Sequence, residues 1–276
     1  MPVTPFQREV IEILRGQRSS GSHFAGSLPL HIASDSDRYS HDFDIFHDAK
    51  HLLAEACAAD LAALSAAGFT VTPGRAWSDT FRRATAQRGA DAVDIDWAVD
   101  AAWRFFPVLP DGELGWRLHP FDLACNKALA LSARSETRDL VDIVEWSRRY
   151  SLPAILWAAC GKDPGFNPLM LLTMMRRFAT VRPDQLKEIA ARRLEPTAVK
   201  MAWLDLAEDA HQRITALADA QTELAIGVAF LDADREPRWP ADLHRPLAEQ
   251  GLTLHAPTVS GCWPMVYPSG EAPAPR

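Results

Sequence analysis

Apolar residues recur at helical spacing over residues 5–16, where Phe6, Val10, Ile11, Ile13 and Leu14 make one stripe. Gly16 and the Ser-Ser-Gly-Ser run at 19–22 end it. His23-Phe24-Ala25 reads as a short strand leading to Gly26. Ser27 is placed as an N-cap, with Pro29 in the first turn of a helix over 27–34. Asp35-Ser36-Asp37 forms a turn, and residues 41–46 form a strand in which acidic and apolar residues alternate. The Ala- and Leu-rich stretch 48–67 predicts a strong helix stopped by Gly68, followed by a strand at 69–72. Two further strands, 78–87 and 92–98, are joined by a turn at Arg88-Gly89-Ala90-Asp91. The second alternates, with Val93, Ile95 and Trp97 on one face and Asp94 and Asp96 on the other.

A short strand near Leu114–Leu118 precedes His119-Pro120, and from there the pattern is helical. Helices are predicted at 120–133, 136–149, 153–161, 167–178, 184–194 and 196–218. The expected organisation is α+β: a mixed core over 1–120, a helical region over 121–263, and a loose tail over 264–276 that holds four prolines.

Composition narrows the function. The chain has 276 residues, is 47% apolar and carries a net charge of −7. That suffices for one large or two small domains, and it argues against a generally basic nucleic-acid surface. Cys57, Cys125, Cys160 and Cys262 lack metal-type spacing and read as reduced thiols. Met1-Pro2-Val3-Thr4-Pro5 lacks a signal pattern, and no apolar stretch reaches the roughly 20 residues that span a bilayer. A cytoplasmic protein is expected.

The candidate chemistry begins at Asp42 and Asp44. One residue apart in a strand, they point the same way, and like charges that close repel. A divalent cation removes the repulsion, and hard oxygen ligands in small number suit Mg²⁺ carried with a nucleotide. Gly26 and Ser27, at a strand-to-helix turn, offer backbone N–H groups to phosphate. A second constellation runs from Asp122 through Lys127 and Arg134 to Arg138, Asp139 and Asp142. Lys127 is a compact charge for triphosphate oxygens, and Arg134 a fork for phosphate or carboxylate. Arg138 and Asp142 form an i,i+4 pair. Asp139 and Asp142 either hold Lys127 or Arg138 in place or act as base toward an acceptor hydroxyl.

Other residues read as structure. His23, His31, His41, His47 and His51 fit no zinc spacing, although His41 and His47 flank the acidic strand. Trp97, Trp103, Trp116, Trp146, Trp157 and Trp203 are assigned to the core, and Met170, Met174 and Met175 to packing. Arg176-Arg177 and Arg192-Arg193 are assigned to solvated helix faces.

Three blocks together resemble the AbiEii/AbiGii toxin nucleotidyltransferase family of the polymerase-β-like superfamily. They are Ala25-Gly26-Ser27 with Arg38 through Phe46, then Asp94-Ile95-Asp96-Trp97, then Asp122 through Asp142. The turn departs from the family's Gly-Gly-Thr/Ser. The resemblance covers roughly residues 22–148 and implies a mixed sheet with packed helices, followed by a helical region. It implies Asp42 and Asp44 as Mg²⁺ ligands, and a third carboxylate that is Asp96, with Asp94 in reserve. It implies transfer of a nucleotide from an NTP to an acceptor hydroxyl, with a tRNA or other RNA end as one acceptor, and a cognate antitoxin if the chain is a toxin. Two Mg²⁺ ions bridged by Asp42, Asp44 and Asp96 are the implied arrangement. The competing readings are a non-catalytic nucleotide- or protein-binding scaffold of the same fold, and a metal-dependent hydrolase.

Overall fold

The computed structural model describes residues 3–32, 36, 38–40, 42–134, 136–187, 189, 191 and 194–264. Helix α1 (Pro5–Arg15) starts at Thr4, whose hydroxyl accepts from the Gln7 N–H while the Gln7 side chain accepts from the Thr4 N–H. Strand β1 (Ser22–Ala25) and the one-turn helix α2 (Leu28–His31) lead to β2 (Asp42–His47). Helix α3 (Lys50–Ala66) is followed by β3 (Thr70–Trp77), β4 (Phe81–Arg88) and β5 (Asp91–Val99). Three short strands then occur: β6 (Trp103–Arg104), β7 (Leu109–Asp111) and β8 (Gly115–Arg117).

Seven strands form one sheet in the order β3-β4-β5-β2-β1-β8-β7. The pairs β2–β5 and β1–β8 are parallel and the rest antiparallel. Phe43 and Ile45 on β2, Ala84 and Ala86 on β4, and Val93, Ile95 and Trp97 on β5 point to one face. There they pack with Leu53, Cys57 and Leu64 of α3 and with Val10 and Leu14 of α1. Alternation therefore sends Asp42, Asp44, Asp94 and Asp96 to the opposite face.

Helices follow at α4 (Pro120–Ala133), α5 (Thr137–Trp146), α6 (Leu152–Ala159), α7 (Pro168–Met175), α8 (Pro183–Lys187) and α9 (Pro196–Ala220). They share a core built on Leu123, Leu131, Ile143, Ile155, Leu172 and Trp203. A 3₁₀ turn at Arg176–Thr180 replaces the end of the helix expected to reach 178. The chain then adds strands the sequence pattern did not reveal. These are β9 (Ala229–Leu231), β10 (Pro237–Arg238) and β11 (Thr253–His255) in a small sheet, and β12 (Thr258–Val259) paired with β6. Two- and three-residue strands are too short to show a period.

Other departures have local causes. The helix expected over 27–34 is one turn, at 28–31, and the one expected over 184–194 spans 183–187. Residues 33–35, 37, 41, 135, 188, 190, 192, 193 and 265–276 lie outside the described residues. With them go the Asp35 to Asp37 turn, His41, Arg192-Arg193 and most of the expected tail. Strand β3 runs to Trp77 through a register shift between Pro73 and Trp77, so its latter half escaped the alternation test. Trp103, expected in the core, is 39% exposed and donates its indole N–H to the Gly161 carbonyl at 2.8 Å. Met170, expected to pack, is 47% exposed, whereas Met175 is buried.

Beneath the sheet, Arg18 and Asp60 form a fully buried pair at 2.6 Å, and the Trp97 indole N–H donates to the same carboxylate at 2.8 Å. Burial pulls the Arg18 pKa down and pushes that of Asp60 up, in each case outweighing the partner's attraction. For a buried pair of this kind, loss of hydration offsets much of the mutual attraction. Removing one partner is a different matter. Asp60→Ala should cost about 3–5 kcal/mol in urea denaturation, because Arg18 is left buried and uncompensated. The double change Asp60→Leu/Arg18→Met should cost less than Asp60→Ala alone; equal or greater loss from the double would show that the pair itself is net stabilising.

Buried histidines give a pH prediction. Burial, reinforced by Arg18, brings the His47 pKa down to about 4, and burial, opposed by Asp122, brings that of His119 down to about 4. Both rings are therefore neutral in the folded chain across a range where the unfolded chain binds protons, below about 6.5. Their contribution to stability is present above pH 6.5 and lost as pH falls from 6.5 to 4. Thermal unfolding followed across that window should show a falling midpoint, and the fall should be shallower in His47→Gln.

Candidate active site

Strand β2 lies between β1 and β5, and its register sets the site. Ala25 pairs with Asp44, while Asp42 and Asp44 lie beside Asp94 and Asp96. Gly26 therefore follows β1 directly over the Asp44 carboxylate. Its φ is +61°, in the left-handed region, and a Cβ there would overlap that carboxylate and come 2.8 Å from the Asp44 Cβ. The spacing from the Gly-Ser turn to the acidic strand is thus a steric relation: only glycine lets the turn close onto Asp44.

Four aspartates share this face, and three have partners. Asp42 accepts from Arg138 Nη1 at 3.2 Å. Asp94 accepts from the Thr85 hydroxyl at 2.6 Å. Asp96 is clasped by both Nε (2.6 Å) and Nη2 of Arg83. Asp44 makes no hydrogen bond or ion pair among the described residues. Burial, then the neighbouring Asp42 charge, pushes its pKa up to about 6, with Lys127 opposing and Asp96 adding to the rise. It is half-buried negative charge without a direct counterion.

Helices α4 and α5 close the site from the other side, around Asp142. This carboxylate is fully buried and accepts from Arg38 Nε at 2.7 Å, Arg38 Nη2 at 3.3 Å and His31 Nε2 at 2.9 Å, with Lys127 Nζ at 2.9 Å. Burial alone would raise its pKa; Lys127, Arg38 and His31 outweigh it and hold the group well below the usual carboxylate range. Lys127 also reaches Asp139 at 2.8 Å, and Arg134 grips Asp139 through Nε at 2.6 Å and Nη2 at 3.0 Å. An ammonium has three N–H bonds. Two are used on Asp139 and Asp142, and the side chain borders a cleft of about 160 Å³ lined also by Gly26, Asp44, Asn126 and Arg134. A larger cleft, of about 790 Å³, lies beyond α2 and α5; Arg8, Arg117, Arg148 and Arg149 line it, and none of the acidic-strand residues does.

The structure thus gathers Gly26, Asp42, Asp44, Asp96, Lys127, Arg134 and Asp142 into one region, but several expected roles change. Ser27 is not a side-chain cap, and its hydroxyl lies 3.1 Å from that of Ser40. Ser40 gives its single proton to the Asp42 carbonyl at 3.0 Å, so Ser27 is the donor in the pair and braces the entry to β2. Its proton is therefore committed and not offered to phosphate. Arg138 pairs with Asp42 and not with Asp142. Asp142, held by the buried Arg38, Lys127 and His31 and with no exposed surface, is an anchor; it is not placed to serve as a base toward an acceptor. His47 is buried on the α3 side of β2, its Nδ1 3.4 Å from the Ala98 carbonyl, so it does not line the cleft. Arg177 is exposed, as expected, and its Nη2 also donates to the Leu131 carbonyl at 2.9 Å and to that of Arg134.

Three residues were given no role in the site by sequence. His31 and Arg38 precede β2 and carry no spacing signal toward residue 142. Arg83 did carry one: counting outward from the Gly89-Ala90 turn pairs Arg88 with Asp91, Thr85 with Asp94 and Arg83 with Asp96, as observed.

The donor set can be tested for Mg²⁺. Asp42 and Asp44, on one face with uncompensated charge at Asp44, fit one ion, since Mg²⁺ binds through one or two carboxylates and completes its shell with water and phosphate. Among the described residues, no three His, Cys, Asp or Glu side chains are grouped to hold a metal ion. Asp96 is occupied by Arg83, so the pair fits and the two-ion arrangement does not.

No protein-family profile matches this sequence, and no curated protein is significantly similar to it. Solved structures are similar in fold. MenT4, a nucleotidyltransferase toxin from Mycobacterium tuberculosis, superposes with a TM-score of 0.52 at 15% identity, covering 74% of this chain and 82% of its own. JHP933 from Helicobacter pylori does so with a TM-score of 0.50 at 15% identity, covering 79% and 96%. The seven-stranded mixed sheet with flanking helices, followed by a helical region, matches the fold of these structures.

Asp44→Asn removes the unpaired charge. In EDTA the variant should be more stable than the parent by on the order of 1–2 kcal/mol, seen as a higher thermal midpoint. Added Mg²⁺ with nucleotide should raise the parent's midpoint and leave the variant's unchanged. A variant less stable than the parent in EDTA would contradict repulsion at Asp44.

Proposed function

We propose that this chain is a Mg²⁺-dependent nucleotidyltransferase that moves a nucleoside monophosphate from an NTP to an acceptor hydroxyl. The observation that carries the reading is Asp44: a carboxylate with no direct counterion among the described residues, beside Asp42, under a glycine turn and at the mouth of a cleft lined by Lys127 and Arg134. Such a site suits a cation at the carboxylates and a polyanion at Lys127 and Arg134.

In the proposed reaction the acceptor oxygen bonds to the α-phosphorus and the bond to the oxygen bridging the α- and β-phosphorus breaks. Pyrophosphate leaves, and the hydroxyl proton passes to solvent. Asp42 and Asp44 hold the cation. Bound there, Mg²⁺ supplies positive charge to the triphosphate. The remaining N–H of Lys127 is assigned to a phosphate oxygen on the leaving side, and the half-exposed Arg134 guanidinium, fixed by Asp139, to a second. Backbone N–H groups at Gly26 and Ser27 are assigned to the phosphates as well. Asp142 acts through Lys127: it fixes the ammonium in place and keeps it charged. The helical part thus completes the cleft, and we assign to it the binding of acceptor.

The fold likeness to MenT4 supports extending the proposal to a toxin-like enzyme, cytoplasmic, with a tRNA or other RNA end as acceptor and a cognate antitoxin as partner. No helix among the described residues is long and apolar enough to cross a membrane.

The test is label transfer. Protein, Mg²⁺ and each α-labelled NTP are incubated with total tRNA or a cell extract, alongside an Asp42→Ala/Asp44→Ala variant. Label should move to an acceptor with the intact chain, and the variant should lose at least a hundredfold in rate. Free monophosphate without labelled acceptor would replace the transferase by a hydrolase. No turnover and no Mg²⁺-dependent nucleotide binding would leave the scaffold reading.

A further inference from the structure

The acidic face contains a cation of its own. Arg83 on β4 stands directly across from Asp96 on β5, and its fork meets that carboxylate through both Nε and Nη2. Cross-strand neighbours of this kind are delivered by the sheet itself, with Cβ atoms about 4.5–5.5 Å apart, so the contact does not depend on a loop conformation. Asp96 is 6% exposed, and an ionised carboxylate so little hydrated needs a counter-charge. A planar guanidinium answers that need bidentately. The Asp94 and Asp42 charges act on Arg83 in the same sense, and the Phe81 ring lies 5.9 Å from its guanidinium carbon. A metal ion at Asp96 would have to displace this fork or share the carboxylate with it against cation–cation repulsion.

Resting on the single-ion reading above, we propose that Arg83 is a built-in cation that takes the place of a second metal: it neutralises Asp96, keeps that carboxylate from ligating, and limits the chain to one divalent ion held by Asp42 and Asp44. Arg83 is thereby a positioning residue that sets metal stoichiometry. The acidic face divides into a half left for an exchangeable ion, at Asp44, and a half already filled by the protein.

Mn²⁺ binding measures this without turnover. Isothermal titration and the electron paramagnetic resonance signal of free Mn²⁺ are recorded for the full chain, with and without a non-hydrolysable NTP analogue. The parent should bind one Mn²⁺, lost in Asp42→Asn. Arg83→Gln should gain a second ion, bound at least tenfold more tightly than any second ion in the parent, and Asp96→Asn in that background should return it to one. Arg83→Lys, which keeps a cation at the position, should stay at one; it also serves if Arg83→Gln unfolds, as judged by circular dichroism. A parent that binds two ions and loses one with Asp96→Asn would overturn the assignment of Arg83 while leaving the transferase proposal intact. So would an Arg83→Gln variant that folds and stays at one. A parent that binds no Mn²⁺ at all would overturn both.

Discussion

An ionised carboxylate with no contact to water, Asp142, is the constraint around which the site is assembled. Such a charge is tolerated in the interior only when opposite charge and hydrogen bonds surround it. Here the compensation comes from three separate places in the chain: His31 at the end of α2, Arg38 before β2, and Lys127 in α4. Because one group satisfies all three, none can shift alone. The turn that bears Gly26, the strand that bears Asp42 and Asp44, and the helix that bears Lys127 are locked into one arrangement. A competing packing would leave either the carboxylate or one of its partners buried and unpaired.

Charge is distributed around this anchor with one deliberate omission. Asp139 is gripped by Lys127 and Arg134, Asp42 by Arg138, Asp96 by Arg83, and Asp94 by a hydroxyl. Asp44 is the exception, and it is also the residue onto which Gly26 closes. Destabilising charge retained at one point of an otherwise compensated network is the pattern of a binding site, where local strain is relieved by the ligand. The same logic explains why the site is made half of sheet and half of helix: the sheet fixes which carboxylates face outward, and the helices bring in the cations.

Much of this was legible in the amino-acid order, for identifiable reasons. The central strands could be placed because alternation is a local property: Phe43 and Ile45 against Asp42 and Asp44, Val93 to Trp97 against Asp94 and Asp96. Even the opposition of Arg83 to Asp96 follows from one hairpin turn. What could not be read depends on contacts between distant segments. Nothing near His31 or Arg38 marks residue 142 as their partner. Arg138 illustrates the reverse error: its i,i+4 spacing to Asp142 is a real helical neighbour relation, but tertiary packing turns it toward Asp42, which carries the more exposed charge. Ser27 looked like a helix cap because of its neighbours, yet a helix of one turn has little to cap, and Ser40 claims the hydroxyl. The small sheet of β9–β11 was invisible because its strands are too brief to display a period.

The reach of the Asp142 contacts also bears on how the molecule is made. Arg38 and His31 lie 104 and 111 residues from their partner. Contacts this far apart along the chain form late, because a long loop must close before they are rewarded. During synthesis, the strand with Asp42 and Asp44 leaves the ribosome well before α5 exists. A nascent chain therefore displays its acidic strand for some time as bare sequence, without the anchor that orders the cleft. The cleft that Asp142 orders is therefore complete only once α5 has been made.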